Sequence, residues 1–304
     1  MPIISVIIPA FNAEKTIEET VKSVLNQTFS DFELIVINDG STDRTLDIIN
    51  NIKDARIKTF SYPNSGCVAA SRNRGFTHAV GEFIAFLDAD DLWKPEKLEA
   101  QLAALQANPQ AAVAYSWVDR IDENNQFLAK GSRVNINGNV YAEILVSNFL
   151  DNGSNPLIRR EAFQAVKGFD ETLLHAEDQD LYIKLAARYD FVVVPHPHIL
   201  YRVSANSKSA NVVRMEGHIL KVIEQAFQQA PASLQHLKKE SISRLYRHLT
   251  VRALDGLSGR QRGLKAATFF WKSVVNDPHL FQELKFKRRL FKKVLLANFL
   301  PAQK

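Results

Sequence analysis

The chain has 304 residues, 46% of them hydrophobic, with 38 Lys and Arg against 33 Asp and Glu. That length allows one large domain, or a domain with a smaller appendage, and the apolar fraction excludes a disordered chain. The single cysteine, Cys67, excludes an internal disulfide framework and a multi-cysteine zinc site.

In chain order, Ile3–Ile8 is a short apolar run that predicts a buried strand. It has no basic stretch before it, so a signal peptide is not expected. Ile17, Val21, Val24 and Leu25 share one face of a helix, and Glu33–Ile37 is a second strand. Asp39-Gly40-Ser41-Thr42 is a turn in which Ser41 or Thr42 can cap the helix carrying Leu46 and Ile49. Arg56–Phe60 predicts a third strand, Val68–Val80 a helix and Glu82–Leu87 a fourth strand. This alternation predicts an α/β protein with a mostly parallel sheet flanked by helices, with ligands bound at the carboxyl ends of the strands.

Further on, Ala111–Val118 reads as a strand and the polar stretch 119–138 as a hairpin or flexible excursion. Tyr141–Phe149 reads as a short helix, Asp151–Pro156 as a loop, and Phe163–Val166 as a helical turn ended by Gly168. Asp178–Arg188 predicts a helix and Phe191–Val194 a strand. From about residue 211 the chain reads as helical. No apolar run approaches the roughly 18 residues that cross a bilayer.

Several familiar chemistries are missing. There is no G-x-G-x-x-G, P-loop, H-E-x-x-H or G-x-S-x-G. A nucleotidyltransferase would need a basic phosphate-binding loop near the N-terminus, and Ile8–Ala13 offers none. What the strand ends do carry is polar and acidic: Pro9-Ala10-Phe11-Asn12, Asn38-Asp39-Gly40-Ser41 and Asp88-Ala89-Asp90-Asp91. Turn preference accounts for Asn12 and Ser41. Three carboxylates in four residues repel one another unless a cation sits among them, which suits Mg²⁺ or Mn²⁺. Asp39 can accept a hydrogen bond from a nucleobase imide N–H or serve its turn; Phe11 can stack on a base or pack in the core. Arg72 can meet a base or phosphate or be a solvated helix residue. Glu177-Asp178-Gln179-Asp180 either suits a helix N-terminus electrostatically or offers a general base.

Taken as an ordered set, these stretches resemble the inverting family 2 glycosyltransferases, which have the GT-A fold. The motifs are Val6–Asn12, Ser23–Thr28, Leu34–Asp43, Ala70–Gly75, Phe86–Asp91, Gly168-Phe169-Asp170 and Glu177–Leu181, spanning residues 3–209. The resemblance implies a GT-A catalytic domain over 1–210 and a basic helical region over 211–304. It implies an enzyme moving a sugar from a nucleotide-sugar, a UDP-sugar, to a hydroxyl of a saccharide, lipid-linked or protein acceptor, in cell-surface glycan synthesis. Pro9, Phe11 and Asn12 would line the nucleotide pocket, Asp39 would read uracil and Arg72 would border the base. Asp88 and Ala89 would face the donor, with Asp90 and Asp88 at the Mn²⁺ or Mg²⁺. Asp178 would be the base, with Glu177 supporting it or the acceptor, and the loop Asp151–Asn155 would lie near the acceptor as a movable segment. The sequence departs from the family pattern in having Asn38 where Asp is usual, Phe11 for Tyr, and Ser204 for a His in the Tyr-Arg-x-His ending; His196 or His198 could stand in for that His.

Charge is uneven along the chain. Residues 211–304 hold 18 Lys and Arg against 6 Asp and Glu, and residues 1–210 hold 20 against 27. Within 284–296, Lys285, Lys287, Arg288, Arg289, Lys292 and Lys293 interleave with apolar residues. Such a helix either lies on an anionic membrane or packs on its own protein with a solvated basic face. The expected setting is cytoplasmic, soluble or peripheral to the membrane. Nucleic acid is not an expected partner, for want of an aromatic stacking platform, and an oligomer through 211–304 stays open.

Overall fold

The computed structural model describes residues 1–203, 212–256 and 259–277. Tail residues 278–304, and so the basic helix expected over 284–296, lie outside the described residues, as does Ser204. The chain divides into two compact units, Met1–Tyr141 with Asn148–Ser204, and Ala142–Ser147 with Ala205–Lys304.

The first unit begins as alternation predicts: β1 (Ile4–Ala10), α1 (Ile17–Leu25), β2 (Phe32–Asn38), α2 (Thr45–Asn51), β3 (Ile57–Ser61), α3 (Val68–His78) and β4 (Phe83–Phe86). All residues of β1, β2 and β4 are buried, as expected of parallel strands covered on both faces. Next come β5 (Leu92–Trp93), α4 (Lys97–Ala107), β6 (Ala111–Ile121), β7 (Phe127–Lys130), then α5 (Tyr141–Val146), which from Ala142 on falls in the second unit, and, back in the first, β8 (Leu157–Arg159), α6 (Arg160–Ala165), α7 (Glu177–Ala186) and β9 (Asp190–Arg202). The sheet order is β3-β2-β1-β4-β8-β6-β9-β5, with β7 beside β6. Strands β1–β4, β6 and β9 run one way; β5, β7 and β8 run against them.

The reversal of β8 positions the site. Ala85 of β4 pairs with Leu157 and Phe83 with Arg159. The residues before β8 therefore emerge at the same sheet edge as the residues after β4.

Three sequence expectations change. The α2 helix is capped by neither Ser41 nor Thr42. It starts at Thr45, whose N–H and hydroxyl both meet Asp43 Oδ1, while Ser41 and Thr42 tie back to Asn12. The strand expected over Phe191–Val194 runs for 13 residues. It absorbs Pro195 and Pro197 at a register shift, where Ser116 faces Val194 but Trp117 faces Pro197, because a bulge tolerates a residue with no N–H. Helix α4, unforeseen in the sequence, buries Leu98, Leu102 and Leu105.

In the second unit α8 (Val212–Gln229), α9 (Lys238–Gly256) and α10 (Gly259–Asn276) bury Val222, Ile223 and Phe227, Leu245, Leu249 and Ala253, and Ala266 and Phe269, respectively. Glu216 accepts hydrogen bonds from Tyr246 at 3.0 Å and Lys272 at 2.7 Å. Among the described residues no helix is long and apolar enough to cross a membrane.

Helix α3 lies close on the sheet because Gly75 has no side chain. A Cβ there would stand 2.4 Å from Ile7 Cγ2 and 3.2 Å from Ile37 Cγ1. Both contacts are with buried β-branched side chains that cannot swing away. Gly75→Ala should therefore cost about 1–3 kcal/mol by overpacking, read as a lower urea midpoint; an unchanged midpoint would show that α3 can lift from the sheet freely.

Candidate active site

The carboxyl ends of β1, β2 and β4 meet at one edge, and each delivers polar residues there. After β1, Asn12 has a left-handed backbone, with φ of 48°. Its N–H donates to Ser41 Oγ at 3.1 Å and its Oδ1 accepts from Thr42 N–H at 2.8 Å, so the loops after β1 and β2 are stitched together. Pro9 is buried in β1 and Phe11 is about half exposed at the edge. Asn38, where the resembled family has an acid, accepts from Ser41 N–H and donates to Ser61 Oγ. An amide can do both; a carboxylate could only accept.

Asp39 is buried. Its Oδ1 accepts from Arg74 Nη1 and Ser65 N–H, each at 3.1 Å, and its Oδ2 from Ser65 Oγ at 2.9 Å. Gly40 makes this possible. Its φ is +73°, and a Cβ would fall 2.7 Å from Asn64 N, so only glycine lets the 64–65 segment close onto Asp39.

The turn after β4 holds three acids in different surroundings. Asp88 is partly exposed; its Oδ1 accepts from Arg72 Nη2 at 2.6 Å. The carbonyl of Ala89 accepts from Thr16 and Thr20 hydroxyls on the α1 side. Asp90 is half-buried, and burial together with the charge of Asp88 raises its carboxyl to about 6. Asp91 is fully buried. Its Oδ2 accepts from Asn152 at 2.9 Å and Ser154 Oγ at 2.6 Å, and its Oδ1 from Arg202 N–H at 2.9 Å. Burial, reinforced by the neighbouring acids, pushes it well above the usual carboxylate range.

The loop before β8 is fixed in place, not the movable segment expected from the sequence. Asn152, Ser154 and Asn155 are buried. Ser154 Oγ also accepts from Asp88 N–H at 3.0 Å, its carbonyl takes Trp93 Nε1–H at 2.8 Å, and Asn155 bridges Ser116 N–H and carbonyl. Tyr182, one turn beyond Asp178 on α7, donates to Asn152 carbonyl at 2.9 Å.

Arg72 spans the acids of two elements. It is 2% exposed, donating to Asp88 and, through Nη1, to Glu177 Oε1 at 3.0 Å. Burial opposes its charge, but Asp88 and Glu177 outweigh that and hold it more firmly protonated than usual. Arg72, expected from the resemblance to border the base, has carboxylate partners in the structure, and the arginine paired with Asp39 is Arg74. Asp178 is half-buried. Its Oδ1 accepts from Gln179 N–H at 2.7 Å and its Oδ2 weakly from Asn148 at 3.4 Å. Burial, with the charge of Glu177, raises it to about 7 against the pull of Arg72.

Arg202, buried at the end of β9, closes this arrangement. It donates to Asp90 carbonyl at 2.7 Å, Asn125 Oδ1 at 2.6 Å and Glu19 at 3.1 Å. His198 is buried with its Nδ1 3.1 Å from Ser116 Oγ, and burial, with nearby His196 and Lys97, lowers it to about 4. That engagement leaves it a packed strand residue; His196 is exposed on the same strand.

Among the described residues no cluster of three or more His, Cys, Asp and Glu could enclose a metal. Asp88 and Asp90 fit a hard divalent cation of the kind that takes one or two carboxylates and completes its shell with phosphate oxygens and water. Burial first, and the charge of Asp88 second, raise Asp90, and a cation between the two acids would oppose both.

The architecture is that of the GT-A glycosyltransferases. Residues 5–253 match the family described as Glycosyltransferase like family 2, and the chain belongs to it. A glycosyltransferase of uncharacterised specificity from Haemophilus influenzae is 47% identical over 110 residues, 36% of this chain and 44% of that one. A chondroitin synthase from Pasteurella multocida is 30% identical over 188 residues, 61% of this chain and 19% of that one. The matches span less than half the length of these relatives. Among solved structures, a mannosyltransferase from Pyrobaculum calidifontis in complex with GDP-Man and Mn²⁺ superposes with a TM-score of 0.65 at 19% identity, covering 98% of this chain and 87% of that one. S. aureus TarS 1–349 in complex with UDP-GlcNAc gives 0.59 at 20% identity, covering 93% and 92%. At such identities the likeness establishes the fold.

Asp178 carries a prediction that needs no substrate. Its folded value of about 7 lies above the ordinary 3.8, so ionising it opposes folding. The cost is absent below the ordinary value, grows as pH rises between the two and is full above about 7. Asp178→Asn removes it. The variant's thermal midpoint should exceed that of wild type at pH 8, with the difference shrinking toward pH 4; a pH-independent difference would mean that Asp178 is not desolvated.

Proposed function

We propose that the protein is an inverting glycosyltransferase that moves a sugar from a nucleotide-sugar, a UDP-sugar in the first instance, to an acceptor hydroxyl. The observation that supports this best is the pairing of a raised, half-buried carboxylate, Asp178, with an acidic turn, Asp88–Asp90, through the shared cation Arg72. A base and a donor-phosphate site then stand on the two sides of one guanidinium. Family membership and the nucleotide-sugars bound by TarS and the Pyrobaculum enzyme point the same way.

In this reading Asp178 accepts the proton of the acceptor hydroxyl as its oxygen bonds to the anomeric carbon. The bond from that carbon to the diphosphate oxygen breaks on the opposite face, and one displacement inverts the centre. A value near 7 suits a base that must be ionised yet remain basic at neutral pH. Glu177 beside it helps keep Asp178 raised, and Arg72, bonded to Glu177, limits that rise. Asp39 faces the base and Phe11 offers a ring beside it. Mn²⁺ or Mg²⁺ held by Asp88 and Asp90 would neutralise charge on the departing diphosphate. The loop Asn152–Asn155 and Tyr182 hold the acceptor side firm. Acceptors in keeping with this reading are saccharides, including lipid-linked ones, and glycosylated proteins, in cell-surface glycan synthesis. The excess of basic residues in 211–304 suits work at the cytoplasmic face of an anionic membrane.

The test is turnover of UDP- and GDP-sugars with Mn²⁺ present, compared between wild type and Asp178→Asn. Removing the base should lower turnover by roughly 10²–10⁴-fold while UDP affinity, read by calorimetry, stays near the wild-type value. Near-wild-type turnover would refute the assignment of Asp178. Tight nucleotide-sugar binding without transfer to any acceptor would favour a non-catalytic binding protein on the same fold.

A further inference from the structure

Arg74, within the stretch Ala70–Gly75, stands at the base pocket with no role assigned to it above. Its Nη1 donates to Asp39 Oδ1 at 3.1 Å, and more weakly to Pro63 carbonyl at 3.5 Å. The guanidinium lies over the Tyr62 ring, 5.0 Å from its centroid. Tyr62 is anchored in turn, its hydroxyl 2.7 Å from His78 Nε2, and His78 stacks on Phe60 with centroids 3.7 Å apart. A cation fixed by a carboxylate on one side and an aromatic face on the other has a set orientation. Its side chain is still one-third exposed, and its Nε and Nη2 have no hydrogen-bond partner among the described residues. Arg74 is thus a held arginine with free donors, next to a held carboxylate.

Together the two groups offer an acceptor beside a donor. The complement is a base edge with an N–H beside a C=O. Uracil presents this at N3–H and O4, and guanine at N1–H and O6. Cytosine and adenine present a ring nitrogen acceptor beside an amino group, the reverse pattern, which would set lone pairs against Asp39 and N–H groups against Arg74. A site built to hydrogen-bond in this way rejects a ligand that leaves its polar groups unpaired.

We propose that Arg74 sets the nucleobase specificity of the donor site, orienting Asp39 and donating to the carbonyl oxygen beside the N–H that Asp39 accepts. This rests on the glycosyl-transfer reading of the pocket and adds to it the class of base: one with adjacent N–H and C=O.

Calorimetric titration of wild type, Arg74→Met and Arg74→Lys with UDP, GDP, CDP and ADP, each with Mn²⁺, tests it, with thermal unfolding to confirm that the variants are folded. Wild type should bind UDP or GDP far more tightly than CDP and ADP, and which of the two it prefers identifies the base. Arg74→Met should weaken that preferred nucleotide by about tenfold, the scale of one good base contact, and leave CDP and ADP nearly unchanged, so that discrimination falls by the same factor. Arg74→Lys, which keeps the charge without the planar fork, should restore only part of it. Equal weakening of all four nucleotides by Arg74→Met would overturn the proposal, since a cation that merely attracts diphosphate behaves in that way. Undiminished discrimination in Arg74→Met would overturn it as well. Wild type binding all four alike would refute base reading at Asp39 and Arg74 while leaving glycosyl transfer standing; wild type binding none would refute both.

Discussion

A carboxylate removed from water must be given hydrogen-bond donors, and the donors supplied to Asp91 set the geometry of the whole site. Asn152, Ser154 and the backbone of Arg202 reach it from two distant parts of the chain, and Thr20 of α1 takes its carbonyl. Once Asp91 is held, the two acids before it have little freedom. Asp88 is fixed through its N–H to Ser154, and Asp90 through its carbonyl to Arg202. An unmet acceptor at that depth would cost several times what any one of these bonds contributes. The most deeply buried acid of the turn therefore works through hydrogen bonds, and the two more accessible ones are left to face a ligand.

Electrostatics divides the remaining acids in a similar way. Arg72 has carboxylates on both sides and almost no contact with water. It bridges Asp88 and Glu177 at close quarters, and it moderates the rise of Asp178 without abolishing it. One buried cation thus links the acidic turn after β4 to the start of α7. An arginine suits this position better than a lysine, since its two Nη atoms bond two carboxylates at once.

The apolar runs of β1, β2 and β4, the amphipathic α1 and the acidic turn at 88–91 were legible in the sequence, because each is a local pattern of burial or charge. The residues that make the turn work were not. Ser154 lies 66 residues from Asp88, Glu177 lies 105 from Arg72, and Arg202 lies 111 from Asp91. Nothing in a window around Ser154 or Tyr182 distinguishes them from any other loop serine or helical tyrosine. Helix α4 escaped because Ala100, Ala103 and Ala104 blur the contrast between its faces, and the length of β9 because prolines usually end a strand. Arg74 drew no reading of its own inside the Ala70–Gly75 stretch. Its meaning depends on Asp39, 35 residues earlier, and on the ring of Tyr62 beneath it.

The reversed strand β8 has a consequence for the order in which the molecule forms. Strands β1–β4 pair in parallel among themselves within the first ninety residues or so, by short crossovers. Asn152 and Ser154 reach the acidic turn only when β8 docks antiparallel to β4, after a loop of more than sixty residues has closed. Contacts that distant are entropically slow to make. The parallel half can thus form as the chain emerges, with Asp39 met by Ser65 and Arg74 and Asp88 by Arg72, but Asp91 stays without its donors until the later half arrives. Completion of the site comes with completion of the sheet: a chain interrupted before residue 150 would carry most of the recognisable motifs and the pairing of Asp39 with Arg74, but neither the donors to Asp91 nor the acids of α7.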